Sequence, residues 1–226
     1  MEDHTEPTTE NPADLTFTEG RVLGCLIEKE ITTPEYYPMT LAALTAASNQ
    51  RSNRAPVVEW DERTVEVALD GLRRKRLAVM INMAGARVPK YKHVLSSLYG
   101  SLDRQMVAVL CELLLRNVQT SGELRTRSER LCPFASLEAV EETLLKLTTY
   151  GGGILVTVLP PGAGRRVKAY AQLLCGPVDA GVSTSVPAAV QVVPPPEDWC
   201  GKIEAEIASL RAELAALKAE LGVVNL

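Results

Sequence analysis

The sequence predicts an α+β, mostly helical fold built on an internal repeat, because one order of elements occurs twice. Residues 15–95 and 96–175 each contain three helical segments followed by a β-hairpin. That order is typical of a winged helix, so the two copies predict two tandem winged-helix domains. A heptad pattern over residues 198–226 predicts a C-terminal coiled-coil helix after them.

The helices are predicted from caps and apolar spacing, which the two repeats share. Thr16 and Glu19 have the spacing of a capping box and predict the start of the first helix, and Thr120 and Glu123 repeat this spacing in the second copy. Two further helices follow from composition and apolar spacing in residues 39–49 and 102–117. Both third helices place apolar residues at i, i+4 and i+7: Val65, Leu69 and Leu72 in one, Val140, Leu144 and Leu147 in the other.

A β-hairpin is predicted after each third helix, at residues 77–95 and 154–174. Alternating apolar residues mark the outgoing strand of the first hairpin, and Gly or Pro marks both turns. The segments 87–91 and 166–170 both begin Arg-Val and end in Tyr, and they stand at the same place in the two repeats. This echo supports the alignment of the two copies.

The remaining segments differ from the repeats in composition. Residues 1–14 are acidic and are expected to be a disordered tail. Residues 176–197 contain five prolines and predict a semi-stiff linker. The alternative for this segment is a strap packed over the second domain through its valines.

The C-terminal heptads predict a parallel homodimer. Glu206 and Glu213 occupy g positions, and Arg211 and Lys218 occupy e positions, so a parallel pair of helices would bring opposite charges together. The alternative is an amphipathic helix that folds back onto its own domain. The candidate dimerisation residues are Ile203, Ile207, Leu210, Leu214, Leu217 and Leu221.

Composition argues against several classes of protein. No apolar run reaches the length that spans a bilayer, and the acidic first residues lack the apolar core of a signal peptide. The five cysteines are scattered, which is typical of reduced cysteines in a cytoplasmic protein rather than of a zinc site or a disulfide framework. Nucleotide-binding and hydrolase motifs are missing from the sequence. We therefore expect a cytoplasmic protein that is not an enzyme, with no membrane segment, cofactor, metal or catalytic residues.

The formal charge of −4 conceals an uneven distribution. Residues 15–95 carry 12 basic and 9 acidic side chains, and residues 96–175 carry 9 and 7. The acidity lies in the two tails. Both repeats are therefore mildly basic, which is compatible with binding DNA.

We expect the protein to bind DNA, mainly through the first repeat, and to regulate transcription. The connector 49–54 offers two guanidinium groups among polar side chains suited to phosphates and base edges, and both hairpins carry cations. The third helix of the second repeat begins with three carboxylates, which phosphates would repel, so this repeat suits a partner protein better. A protein–protein adaptor is the alternative function. The candidate DNA-binding residues are Arg51, Asn53, Arg54, Arg87, Lys90, Lys92, Arg165, Arg166 and Lys168.

Three segments of the chain resemble a known family. They are residues 32–38 (TTPEYYP), 49–57 (NQRSNRAPV) and 114–125 (LLRNVQTSGELR). In these the chain is similar to the YceH-like family of uncharacterised bacterial proteins, and the resemblance covers about residues 15–175. It implies a tandem winged-helix fold and no established activity. Three positions depart from the family pattern, where an acidic residue, Gly and Pro are usual: Ala55, Asn117 and Ser121.

Overall fold

The computed structural model describes residues 14–82, 88–161 and 166–178, together with 208 and 211–212. Residues 187–226 form a unit of their own, whose described residues Ala208, Arg211 and Ala212 are helical. The tail up to residue 13, the linker from residue 179 and the six candidate dimerisation residues lie outside the described part. The predicted α+β class is confirmed by six α-helices and two small sheets in the described ranges.

The first repeat forms its elements in the predicted order. They are α1 (Phe17–Thr32), α2 (Leu41–Ser48), α3 (Glu62–Arg74), β1 (Ala78–Ile81) and β2 (Lys90–His93). The predicted capping box begins α1: the Glu19 backbone N–H donates to Thr16 Oγ1 at 3.2 Å, and the Thr16 N–H donates to Glu19 Oε2 at 2.7 Å. Thr40 and Asp61 cap α2 and α3 with their side chains. Each cap accepts from a backbone N–H that the helix itself leaves unpaired.

The second repeat follows the same order. Its elements are α4 (Arg104–Arg116), α5 (Ser121–Arg127), α6 (Leu137–Thr148), β3 (Val156–Leu159) and β4 (Ala169–Gln172). The capping box predicted from Thr120 and Glu123 is present at the start of α5. Asp103 and Ser136 cap α4 and α6. Because one set of local signals starts the helices of both repeats, the order of elements is readable from sequence.

Each hairpin gains a third, single-residue strand that the sequence did not predict. Met39 pairs with Tyr91 through two backbone hydrogen bonds of 3.0 and 2.7 Å, and Gln119 pairs with Tyr170 through two of the same lengths. Met39 and Gln119 each precede the threonine that caps the second helix. The two repeats are therefore equivalent in backbone hydrogen bonding as well as in element order.

The two repeats share one hydrophobic core, and α1 and α4 form its most extensive contact between helices. Gly24 lets these helices approach closely, because a Cβ on it would lie 3.0 Å from Leu115 Cδ2 and 3.1 Å from Leu114 Cβ. The Gly24 carbonyl also accepts from the thiol of Cys111, which is buried like Cys25. These two cysteines occupy small apolar positions in the core, as predicted.

Candidate nucleic-acid interface and buried ion cluster

The third helix of each repeat carries an exposed stripe on the side opposite its buried residues. Counted from the helix cap, both stripes occupy positions two, six, nine and thirteen, which share one helical face. The α3 stripe consists of Arg63, Val67, Asp70 and Arg74. The α6 stripe consists of Glu138, Glu142, Leu145 and Thr149.

The two stripes are opposite in charge although they are equivalent in position. Arg63 and Arg74 stand at the two ends of the α3 stripe, and Val67 between them is 59 % exposed. Asp70 forms an ion pair of 2.8 Å with the neighbouring Arg73. The α6 stripe has two glutamates, no cation and an exposed Leu145. Only the α3 stripe therefore has a charge that DNA would attract.

The connector between α2 and α3 is only partly at the surface, although all of its candidate DNA-binding residues were expected there. Arg51 is exposed and available to a ligand. Arg54, by contrast, is only 5 % exposed and donates to both carboxylate oxygens of Glu28. Asn53 is half-buried and accepts a hydrogen bond from Arg116 through its side-chain oxygen. The structure thus gives Arg54 an internal ion pair in place of the predicted surface contact, because a buried carboxylate needs a buried cation.

The cations of the hairpins are only partly within the described residues. Lys90 and Lys92 alternate with the buried Tyr91 along β2, so they share the face of the strand away from Tyr91. Arg166 is exposed, and Lys168 lies 3.4 Å from Glu141, which reduces its availability. Arg87 and Arg165 lie outside the described residues.

A cluster of charged side chains is buried where the repeats meet, and we call it the buried ion cluster. It consists of Glu28, Arg54, Glu112, Arg116 and Arg130. Arg130 of the second repeat bridges the repeats: one terminal nitrogen lies 2.6 Å from Glu28 Oε1, and the other lies 3.0 Å from Glu112 Oε1. Both carboxylates are fully buried. Within the cluster, Glu28 is compensated by one cation from each repeat, whereas both cations on Glu112 belong to the second repeat.

The pKa values of the two carboxylates in the cluster are shifted in opposite directions, although burial acts on both in the same way. Burial by itself would raise the pKa of Glu28, but the hydrogen bonds and charges of Arg54 and Arg130 outweigh it and hold the pKa below its usual range. Burial raises the pKa of Glu112, and Arg130 and Arg116 compensate for this only in part. Glu28 is therefore the firmly ionised member of the pair.

The cluster also joins two of the segments that resemble the YceH-like family. From segment 49–57, Gln50 accepts a hydrogen bond from Arg54, and Asn53 accepts one from Arg116. From segment 114–125, Gln119 donates to the Glu112 carbonyl at 2.9 Å. Sequence reasoning treated the connector as a surface and so missed the cluster. The available signal was Glu112, which interrupts the apolar run 106–115, and Glu28, which directly follows the apolar run 22–27.

The described residues show neither a metal centre nor a membrane segment. Within residues 14–82, 88–161 and 166–178, no three His, Cys, Asp or Glu side chains come together as metal ligands. In the same ranges, no helix combines the length and the apolar character needed to cross a bilayer.

Comparison with protein families matches residues 15–165 to the family described as "Protein of unknown function, DUF480". The chain belongs to the DUF480 family. The membership in an uncharacterised bacterial family predicted from the three segments is thereby confirmed.

Several bacterial DUF480 relatives, described as UPF0502 proteins, are similar over most of the chain. The protein of Pelobacter propionicus is 56 % identical over 164 residues, which cover 73 % of this chain and 74 % of the relative. The protein of Geotalea uraniireducens is 49 % identical over 86 % of this chain and 89 % of its own. The protein of Vibrio parahaemolyticus is 43 % identical over 88 % and 92 %.

Two of the departures from the family pattern contact each other in this DUF480 protein. Asn117 follows α4 with a φ of 60°, in the left-handed region that favours glycine, the residue that the resemblance leads one to expect there. Its side-chain amide donates to the carbonyl of Ala55 at 3.2 Å. The asparagine therefore accepts the backbone conformation of a glycine and adds a hydrogen bond to the connector.

Proposed function

We propose that this DUF480 protein is a cytoplasmic, non-enzymatic, tandem winged-helix protein that binds DNA through its first repeat and regulates transcription. The observation that carries the proposal is the contrast between the two stripes. A winged helix presents the exposed face of its third helix to the major groove. In the first repeat that face has an arginine at each end, whereas in the second it has two glutamates.

The geometry of the α3 stripe suits a major groove. Arg63 and Arg74 are eleven residues apart, which is about 16 Å along a helix, so they can reach phosphates at separate points along the groove. Between them, Val67 can contact a thymine methyl group and Asp70 can accept from a cytosine amino group. Lys90 and Lys92 on β2 and Arg51 in the connector supply further cations to the same repeat.

DNA binding should depend steeply on salt and on the α3 stripe. With Arg51, Arg63, Arg74, Lys90 and Lys92 at phosphates, we expect affinity for duplex DNA to fall between 50 and 200 mM salt with a log–log slope of about −4.5. The double variant Arg63→Ala/Arg74→Ala should weaken binding and reduce the slope by about 2. Fluorescence anisotropy with a labelled duplex measures both quantities.

The matched control for this measurement is Lys146→Ala, which removes an exposed cation from α6 and should leave DNA binding unchanged. Affinity that does not change with salt, or an equal loss in the control, would contradict the proposal. The contribution of the connector to DNA binding is tested with Arg51→Ala. Arg54 is not substituted, because removing this buried side chain would disturb the fold.

The second candidate function is that of a protein–protein adaptor, and the α6 stripe favours it. Leu145 is 63 % exposed and follows the two glutamates of the stripe, a combination that suits a basic amphipathic partner. The adaptor function replaces DNA binding if two results are obtained. The protein does not bind DNA at low salt, and a defined protein partner co-purifies with it after nuclease treatment but not with the Leu145→Lys variant.

Dimerisation through the C-terminal heptads is the last part of the proposal. Its support is the sequence pattern of residues 198–226, with apolar a and d positions and opposite charges at e and g. Deleting residues 198–226 should convert a dimer into a monomer in light scattering coupled to size exclusion, because the helix would supply the whole interface. A full-length monomer at tens of micromolar would contradict the prediction.

A further inference from the structure

An open groove lies beside the buried ion cluster, and half of its lining residues are arginines. Its volume is about 480 Å³, which is in the size range of small-molecule sites. The lining residues come from both repeats: Asn53, Arg116, Thr126, Arg127, Glu129 and Arg130. The lining itself contains three cations and one carboxylate. Glu28, Glu112 and Glu123 lie beneath or beside the groove as ion-pair partners of these cations.

The three guanidinium groups are held in place by contacts beneath and beside the groove. Arg130 contacts Glu28 and Glu112, as described above. Arg127 donates to Gln119 Oε1 at 2.9 Å and contacts Glu123 Oε1 at 3.0 Å. A guanidinium has five N–H donors, so these contacts fix each group and leave donors for a ligand. Arg127 and Arg130 are each about one-third exposed, which keeps them accessible.

Three buried polar atoms in the lining residues of the groove or next to them have no hydrogen-bond partner among the described residues. Arg116 Nε and Glu112 Oε2 are both buried, and they face each other at 3.4 Å as an ion pair without a hydrogen bond. The hydroxyl of Ser128, which follows Arg127 in the chain, is also buried and unpaired. Buried polar groups are rarely left unpaired in folded proteins. The arginines of the groove therefore keep hydrogen-bonding capacity that their carboxylate partners do not use.

We propose that this groove binds the phosphate group of a small phosphorylated molecule. Fixed guanidinium groups recognise phosphate in paired N–H···O contacts, and holding them in advance lowers the entropy cost of binding. The groove is larger than one phosphate requires, which leaves room for the rest of a small molecule. The site does not depend on DNA binding by α3, so either proposal can fail without the other.

Titration calorimetry of the full-length protein with inorganic phosphate and with pyrophosphate, at constant ionic strength, tests the proposal. We expect saturable binding that is weakened about tenfold or more by Arg127→Gln. Thr126→Asp should have the same effect, because Thr126 is exposed and the change adds a carboxylate to the groove without touching the ion cluster. Arg125→Gln is the matched control, since it removes an exposed cation from the same helix that does not line the groove.

A second arm distinguishes a free phosphorylated molecule from the phosphates of DNA. Pyrophosphate binding should be unaffected by Arg63→Ala/Arg74→Ala, and DNA binding should be unaffected by Thr126→Asp. The proposal is overturned if neither anion binds at millimolar concentration, if Arg125→Gln weakens binding as much as Arg127→Gln, or if duplex DNA alone depends on Thr126 and Arg127.

Discussion

Glu28→Ala is expected to lower the free energy of unfolding by about 3–5 kcal/mol, the range found when one partner of a buried ion pair is removed. Arg54 and Arg130 both donate to this carboxylate, and Arg54 is almost inaccessible to solvent. Without Glu28, the Arg54 guanidinium would stay buried without a compensating charge. Urea denaturation followed by circular dichroism measures the change.

The control for this prediction is Glu142→Ala, which removes a carboxylate from the exposed face of α6 and should change the free energy of unfolding by less than about 0.5 kcal/mol. Equal effects of the two substitutions would contradict a structural role for the buried ion cluster.

The ion pairs of Glu28 should also make the free energy of unfolding depend on pH. Because the pKa of Glu28 is lower in the folded protein than in the unfolded chain, its ionisation stabilises the fold above the ordinary glutamate pKa of about 4.3. This stabilisation is lost as pH falls through the lowered pKa. The difference in unfolding free energy between the native protein and Glu28→Gln should therefore narrow below about pH 4. A difference that is constant with pH would show that Glu28 is not ionised in the fold.

Gly24→Val is expected to destabilise the protein by about 1–3 kcal/mol, the cost of overpacking a core. Even the first carbon of a side chain would lie about 0.5 Å closer to Leu114 and Leu115 than ordinary van der Waals contact. Valine adds two methyl groups, so α1 and α4 would have to separate. Urea denaturation measures the decrease in the free energy of unfolding. We expect the contacts between α1 and α4 to be weakened at the same time.

Gly122→Ala is the matched control for the helix contact. Nothing lies within 4 Å of a Cβ at this position in α5, and alanine is the better helix former. We expect no loss of stability and a gain of up to about 1 kcal/mol. A Gly24→Val variant as stable as Gly122→Ala would show that α1 and α4 are not closely packed.

Local signals predicted the elements of the repeats well. The capping boxes at Thr16–Glu19 and Thr120–Glu123 form as expected, because a cap involves residues only three positions apart. The apolar spacing that ends in Leu72 and Leu147 likewise identified the buried face of each third helix. These features depend on a few neighbouring residues and are visible in the sequence.

Features that depend on distant residues were not predictable in the same way. The single-residue strands at Met39 and Gln119 are too short to show a pattern of alternation. In the sequence, Arg54 has the appearance of a surface residue of the connector. Its partner Glu28 is 26 positions away, in α1. The second cation on Glu28, Arg130, belongs to the other repeat. Charge in the sequence therefore indicated a polar site but not which of its side chains are exposed.

In the function we propose, DNA binds to the α3 stripe and not to the α6 stripe. Amide chemical-shift mapping of isotope-labelled protein during titration with duplex DNA at low salt tests it most directly. We expect shifts concentrated at residues 63–74 and around Lys90 and Lys92, with residues 138–145 unchanged. Shifts centred on α6, or no shifts at all, would contradict it.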